Sequence, residues 1–158
     1  MFFRKTVVRT VLWLLTVVCA AAILSLSLQP ASGSSALSSG LTHRVLCWFS
    51  AYRGLPFDEQ ARLLGQVQML VREAAHIAEF MLLSTLASSL AVSYVGRRFW
   101  RYSLAATVVF ALLDESVQGL FADGRAFQFI DLAKDWLGCA LGAVAVGLYV
   151  RKKKEKRV

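Results

Sequence analysis

Charge is scarce in this chain: only 18% of its 158 residues are Asp, Glu, Lys or Arg, against 57% that are hydrophobic. A soluble domain must solvate its own surface, and a mean hydropathy of +0.56 is wrong for that task. Acidic residues are the scarcer sign, ten against eighteen basic, but the net charge of +8 does not mark a nucleic-acid binder, because no folded basic domain accompanies it. Three cysteines (Cys19, Cys47 and Cys139) are odd in number and widely spaced. That excludes a disulfide framework and a cysteine metal motif, and each reads as a small apolar side chain. With only two histidines, His43 and His76, there is no strong zinc signature. No internal repeat is visible, and the length leaves no room for a soluble domain beside the apolar stretches.

Those stretches are what the chain has. A transmembrane helix needs about 20 mostly apolar residues, and residues 7–28, 74–95, 102–121 and 129–150 qualify. The expected fold is therefore all-α: one membrane domain over residues 1–158, a bundle of four transmembrane helices with an interfacial helix or two between the first and second. The first stretch follows Arg4, Lys5 and Arg9 as a secretory signal would, but its uncharged run, Val11 to Leu28, is longer than a signal's apolar region, so it reads as a retained anchor. The β-branched residues before Cys19 do not suit a lipoprotein signal.

Basic residues set the orientation. They cluster before span one (Arg4, Lys5, Arg9), between spans two and three (Arg97, Arg98, Arg101) and after span four (Arg151, Lys152, Lys153, Lys154, Lys156, Arg157). Cytoplasmic segments are rich in Lys and Arg, so both termini are expected in the cytoplasm, with the tail at 151–158 against anionic lipid. The segment from Gln29 to Glu73 then lies outside. QPASGSSALSSG reads as a mobile linker. Residues His43 to Tyr52 read as a short interfacial helix, broken by Gly54 and Pro56, and Asp58 as the cap of another before span two.

The same orientation fixes depth. At about 1.5 Å per residue, His76 and Glu79 of span two, Asp114, Glu115 and Gln118 of span three, and Asp131 and Asp135 of span four all fall within the outer turns. Residues three or four apart share a helix face, so Arg72, His76 and Glu79 make one stripe, Asp114 and Gln118 with neighbouring Glu115 a second, and Asp131, Asp135, Gly138 and Gly142 a third. Charges in a membrane cost at least about 2.5 kcal/mol each and persist by facing one another, water or a cavity. The glycines let a neighbouring helix approach closely, which turns the third stripe toward protein.

The runs REAAHIAEFMLL and LLDESVQGLFADGRAFQFIDLAKDWLGCALG resemble those of the VanZ-like membrane proteins. Their shared pattern is a basic residue, then His and Glu, at the start of one span, Asp-Glu-x-x-Gln at the end of the next, a Gly-Arg loop, and an Asp leading into a Gly-x-x-x-Gly span. The likeness covers Arg72 to Gly142, and SLSLQP at 25–30 is similar to the family's Ser-rich end of span one. Asp135 stands where the family usually has Asn, and Phe80 where an aromatic hydroxyl is common. The resemblance implies a cell-membrane address and an envelope context linked to resistance to the glycopeptide teicoplanin. It implies no reaction.

Three readings of the polar cluster follow. It is an outer-leaflet pocket for a lipid head group, a lipid-linked precursor or a lipid-tailed amphiphile. In that case Arg72 and Arg125, with Asp131 and Asp135, bind the ligand, while His76, Glu79, Asp114, Glu115 and Gln118 are the candidates for acid–base chemistry. Or it is a structural network that fixes helix register, in which Arg72 and Arg125 pair with Asp131, Glu79 or Asp114. Or it holds a divalent metal, as in an intramembrane metal-dependent hydrolase, through His76, Glu79 and a carboxylate from another span. No cofactor is required by the first two. Proton or ion transport fits poorly, since the inner halves of the spans offer little beyond hydroxyls.

Overall fold

A computed structural model describes residues 2–96 and 98–155, with side chains described for 5–96, 98–153 and 155. The expected basic clusters are therefore seen in part: Arg97, Lys156 and Arg157 lie outside the described residues, as do the side chains of Arg4 and Lys154. Among the described residues there are six helices and no strand: α1 (Phe2–Ser27), α2 (Ala31–Leu46), α3 (Ser50–Arg53), α4 (Phe57–Tyr94), α5 (Trp100–Phe121) and α6 (Phe129–Glu155). Three of them, α1, α4 and α5, are long and apolar enough to cross a membrane. Helix α6 is as long, 27 residues, and carries Asp131, Lys134 and Asp135 near its start and Arg151 to Lys153 near its end.

Apolar and polar residues are placed inside out. Leu120 is 77% exposed and Ile130 70%, while Glu115 and Asp135 are fully buried. Water would reverse that arrangement, and hydrocarbon favours it. The apolar core is small: Ile23 of α1, Phe80 and Leu83 of α4, Ala111 of α5, and Leu132 and Cys139 of α6.

Helix α4 is the centre of the bundle. It packs most closely on α6 and also meets α1, α2 and α5. The close approach to α6 requires glycine: a Cβ on Gly138 would collide with the Ile77 carbonyl oxygen, and one on Gly142 with that of Met81. Backbone that near leaves no space for any side chain, as the spacing of the two glycines predicts. Hydroxyls complete the interior, with Ser84 Oγ donating to the Cys139 carbonyl at 2.7 Å and the Ser88 and Ser103 hydroxyls sharing a bond of 2.8 Å. At the far end, Arg9 of α1 donates to the Ser93 carbonyl of α4 through Nε at 3.0 Å and through Nη2, and lies 4.5 Å over the Tyr94 ring.

The segment between the first two spans departs from expectation. The serine-rich run is not a loose linker but helix α2, which begins after Pro30 and packs on α4. Its hydroxyls fold back onto its own carbonyls, Ser38 to Ser35, Ser39 to Ala36 and Thr42 to Ser38. Gln68 of α4 adds bonds to the Ser35 carbonyl and the Ser38 hydroxyl at 3.1 and 2.9 Å. Packing on a partner supplies what local propensity lacks. The interfacial helix expected over 43–52 is split, because α2 runs to Leu46 and only Ser50–Arg53 is helical after it. Nor is there a separate helix capped by Asp58. Pro56 occupies the cap position, Asp58 sits in the first turn, and α4 continues unbroken for 38 residues, since no proline or glycine pair interrupts it.

Candidate functional site

The polar residues of α4, α5 and α6 meet where α1 ends and the 122–128 loop turns back. His76, Asp114, Glu115 and Asp135 are each held by a bond from another element. His76 Nδ1 lies 3.0 Å from Asp135 Oδ1, joining α4 to α6. With Asp135 as acceptor Nδ1 carries the proton, and in its neutral form the ring then has its lone pair on Nε2. Ser27, the last residue of α1, donates its hydroxyl to Asp114 Oδ2 at 2.8 Å. Glu115 Oε1 accepts the backbone N–H of Gln128 at 2.7 Å. That last bond depends on the loop. Gly124 adopts φ 72°, and Gly119 lets the Phe127 backbone press against α5 where a Cβ would lie 2.7 Å from its nitrogen. Glu79, half-buried, is within electrostatic reach of His76, Asp114 and Asp135, and Glu115 within reach of Asp131, Asp135 and His76.

Two cavities open onto this cluster, and Arg72 and His76 line both. One, of about 400 Å³, is polar and runs along the α4–α6 side past Glu73, Gln128, Asp131 and Lys134. The other, of about 320 Å³, lies between α2 and α4 at the end of α1. Its inner end carries Ser27, Glu79, Gln118 and Arg125, and its outer wall Leu26, Leu37, Leu41 and Val71. A cavity polar at one end and apolar along one side suits an amphiphile.

The groups of the cluster are incompletely satisfied. Arg125 Nε, Asp114 Oδ1, Glu115 Oε2 and Asp135 Oδ2 are buried and lack a hydrogen-bond partner. Buried polar groups are normally paired, and each orphan costs roughly 1–3 kcal/mol or more when charged. Neither Arg72 nor Arg125 has an ion pair among the described residues. Burial, with help from the neighbouring Arg72 charge, lowers the Arg125 pKa from its usual value, and Glu115, Asp114 and Asp131 pull the other way. The guanidinium stays charged and its nearby counter-charges do not grip it.

The nine residues singled out from the sequence are thus drawn to one region, but in altered pairings. The expected arginine–carboxylate pairs do not form. Asp131 instead takes Lys134, whose Nζ lies 3.0 Å from Oδ1 and 3.5 Å from Glu73 Oε1, because Lys134 is one turn along the same helix face. Asp135 serves as the partner of His76 and faces inward. Among the described residues no group of three or more His, Cys, Asp or Glu side chains is arranged to hold a metal ion. His76, Asp114 and Glu115 are each turned to a different protein partner. Trp136 faces outward, its Nε1 3.3 Å from the Val108 carbonyl, and does not line either cavity. Ser34, Ser38, Leu37 and Leu41 of α2 were missed as cavity residues, although the steps of three and four between them are helical spacing.

A family model described as VanZ/LLP1 matches residues 12–150, most of the chain, and the chain belongs to that family. No curated protein and no solved structure matches it.

Proposed function

We propose that this VanZ/LLP1 family member is a four-span protein of the cell membrane that holds, in the cavity between α2 and α4, the anionic head of a lipid, a lipid-linked precursor or a lipid-tailed amphiphile from the outer leaflet. The observation that carries the reading is Arg125. Its Nε is buried without a partner, beside the equally unpaired Arg72 and below an apolar wall. Two guanidiniums present planar donors that match phosphate or carboxylate oxygens, and Leu26, Leu37, Leu41 and Val71 offer a surface to a tail. Gln128 and Ser27 each occupy one oxygen of Glu115 and of Asp114, and neither acid forms an ion pair with an arginine.

The membrane arrangement belongs to the same proposal. α6 forms the fourth span, about 40 Å long at 1.5 Å per residue. Arg9 lies beside the end of α4, and Arg98, Arg101 and Arg151 line one cavity, so the basic clusters share one end of the bundle, which supports cytoplasmic termini. The exposed Leu37, Leu41, Trp48 and Phe49 suit an outer interface for α2 and the turn after it. In the envelope such a pocket confers tolerance to lipid-tailed glycopeptides by withholding or modifying the amphiphile, with Nε2 of His76 as the available base.

The test is Arg125→Gln in cells and as purified full-length protein in nanodiscs. We expect folded yield to be preserved, binding of a lipid-tailed glycopeptide to weaken by about tenfold or more, and protection to be lost. A competing structural reading is favoured by the Ser27–Asp114 and His76–Asp135 bonds, which tie helices together. It requires the reverse: reduced folded yield, with full protection per folded molecule.

A further inference from the structure

About 27 Å farther along α4 than His76, at the other end of the bundle, the turn into α5 and the last turns of α6 enclose a cavity of about 430 Å³. Arg98, Arg101 and Arg151 line it, with Trp100, Val144 and Leu148, and no carboxylate among the described residues contributes to its walls. Gly147 gives the Trp100 indole room against α6, since a Cβ there would sit 2.9 Å from the ring, and the indole lies beside Arg98, Arg101 and Arg151 in the cavity wall. The Arg101 guanidinium is stacked 5.5 Å over that indole, which orients its donors. Among the described residues the acid paired with a cavity arginine is Glu155, 3.4 Å from Arg151, in a pair whose side chains are 79% and 65% exposed. Solvent screens such a pair, and a phosphate can displace it. Helix α5 has no acidic residue in its first turn, so its positive end adds to the field.

We infer that this cavity is a binding site for an anionic phospholipid, its phosphate diester gripped by Arg98, Arg101 and Arg151 and its acyl chains laid along Trp100, Val144 and Leu148. Two features separate such a site from the diffuse attraction of a basic tail. The cations come from both helices and converge on one space, and the apolar wall adjoins them. Lys152 and Lys153 carry the same charge at the same end but do not line the cavity. The inference does not rest on the proposal for the Arg125 cavity.

The full-length protein, purified in a nonionic detergent, is titrated with dioctanoyl phosphatidylglycerol, dioctanoyl phosphatidylcholine and inorganic phosphate, and bound species are counted by native mass spectrometry. Phosphatidylglycerol is expected to bind at least about tenfold more tightly than the other two. Arg101→Gln/Arg151→Gln is expected to lose about tenfold of that affinity, while Lys152→Gln/Lys153→Gln stays within about twofold of wild type. Arg101→Lys/Arg151→Lys, which keeps every charge and so the insertion signal, should lose about threefold because an ammonium cannot bind bidentately. Equal losses in the two glutamine pairs, or an unchanged lysine variant, overturn the site in favour of general charge attraction. Equal binding of phosphatidylcholine or of free phosphate overturns the lipid as its ligand.

Discussion

His76 and Asp135 form a bond between a partly exposed ring and a carboxylate with no exposure at all. Removing the ring leaves a buried carboxyl group with neither oxygen partnered, since Oδ2 is already an orphan. His76→Ala is therefore expected to cost about 3 kcal/mol, read as a shift of the unfolding midpoint in detergent. Asp135→Asn behaves differently, because an amide oxygen still accepts from Nδ1. It is expected to cost less than about 1 kcal/mol, and an equal loss in the two variants would show that charge, not the hydrogen bond, holds the pair. Each residue in the cluster was visible in the sequence as a charge at an improbable depth, but its partner was not. Asp131 could be matched to an arginine as plausibly as to Lys134, and only packing decided. Ser27 and Gln128 gave no such signal, since a serine near a span end and a backbone N–H in a loop look ordinary until an acid is found against them.

Among the elements, the α4–α6 seam is the most constrained. Gly138→Ala and Gly142→Ala each place a methyl against α4 backbone, which cannot rotate aside as a side chain can. Each substitution is expected to destabilise by about 1–3 kcal/mol, whereas Gly65→Ala, with open space around it in the same helix α4, should be neutral or stabilising. Comparing unfolding midpoints of the three variants tests this; a neutral Gly142→Ala would mean the helices stand farther apart. The helices that later proved to be α1, α5 and α6 were legible within a few residues, because long apolar runs admit one conformation in lipid. Helix α2 was not. Serine and glycine favour loops by intrinsic propensity, and what overrides them is packing on α4, including bonds from Gln68 across 33 and 30 residues of sequence. The unbroken junction within α4 was hidden for a related reason: a mixed polar and apolar stretch after Pro56 reads as interfacial whether or not it is continuous with the span that follows.

For the whole molecule, two of the three cysteines give a direct reading of topology. Cys47 is partly exposed just after α2, and Cys139 is completely buried between helices. In intact cells a membrane-impermeant maleimide is expected to label Cys47 and to leave Cys139 unmodified until the protein is denatured. Labelling of Cys47 only after permeabilisation would invert the proposed orientation. Apolar length was enough to place the long apolar helices from the sequence, while the division of the polar region into two cavities depended on α2 and the 122–128 loop and could not be drawn from it.

The continuity of α4 also decides how the Arg125 cavity can admit anything. One wall belongs to a rod that is locked by glycine contacts to α6 and clasped at its far end by Arg9, so it cannot swing by itself. The opposite wall is α2, joined to the loop by a single main-chain bond from Ala31 N–H to the Asp123 carbonyl, and to α4 by the amide of Gln68. Under the proposed function α2 is therefore the wall that yields to admit a guest, and the rest of the bundle serves as the frame.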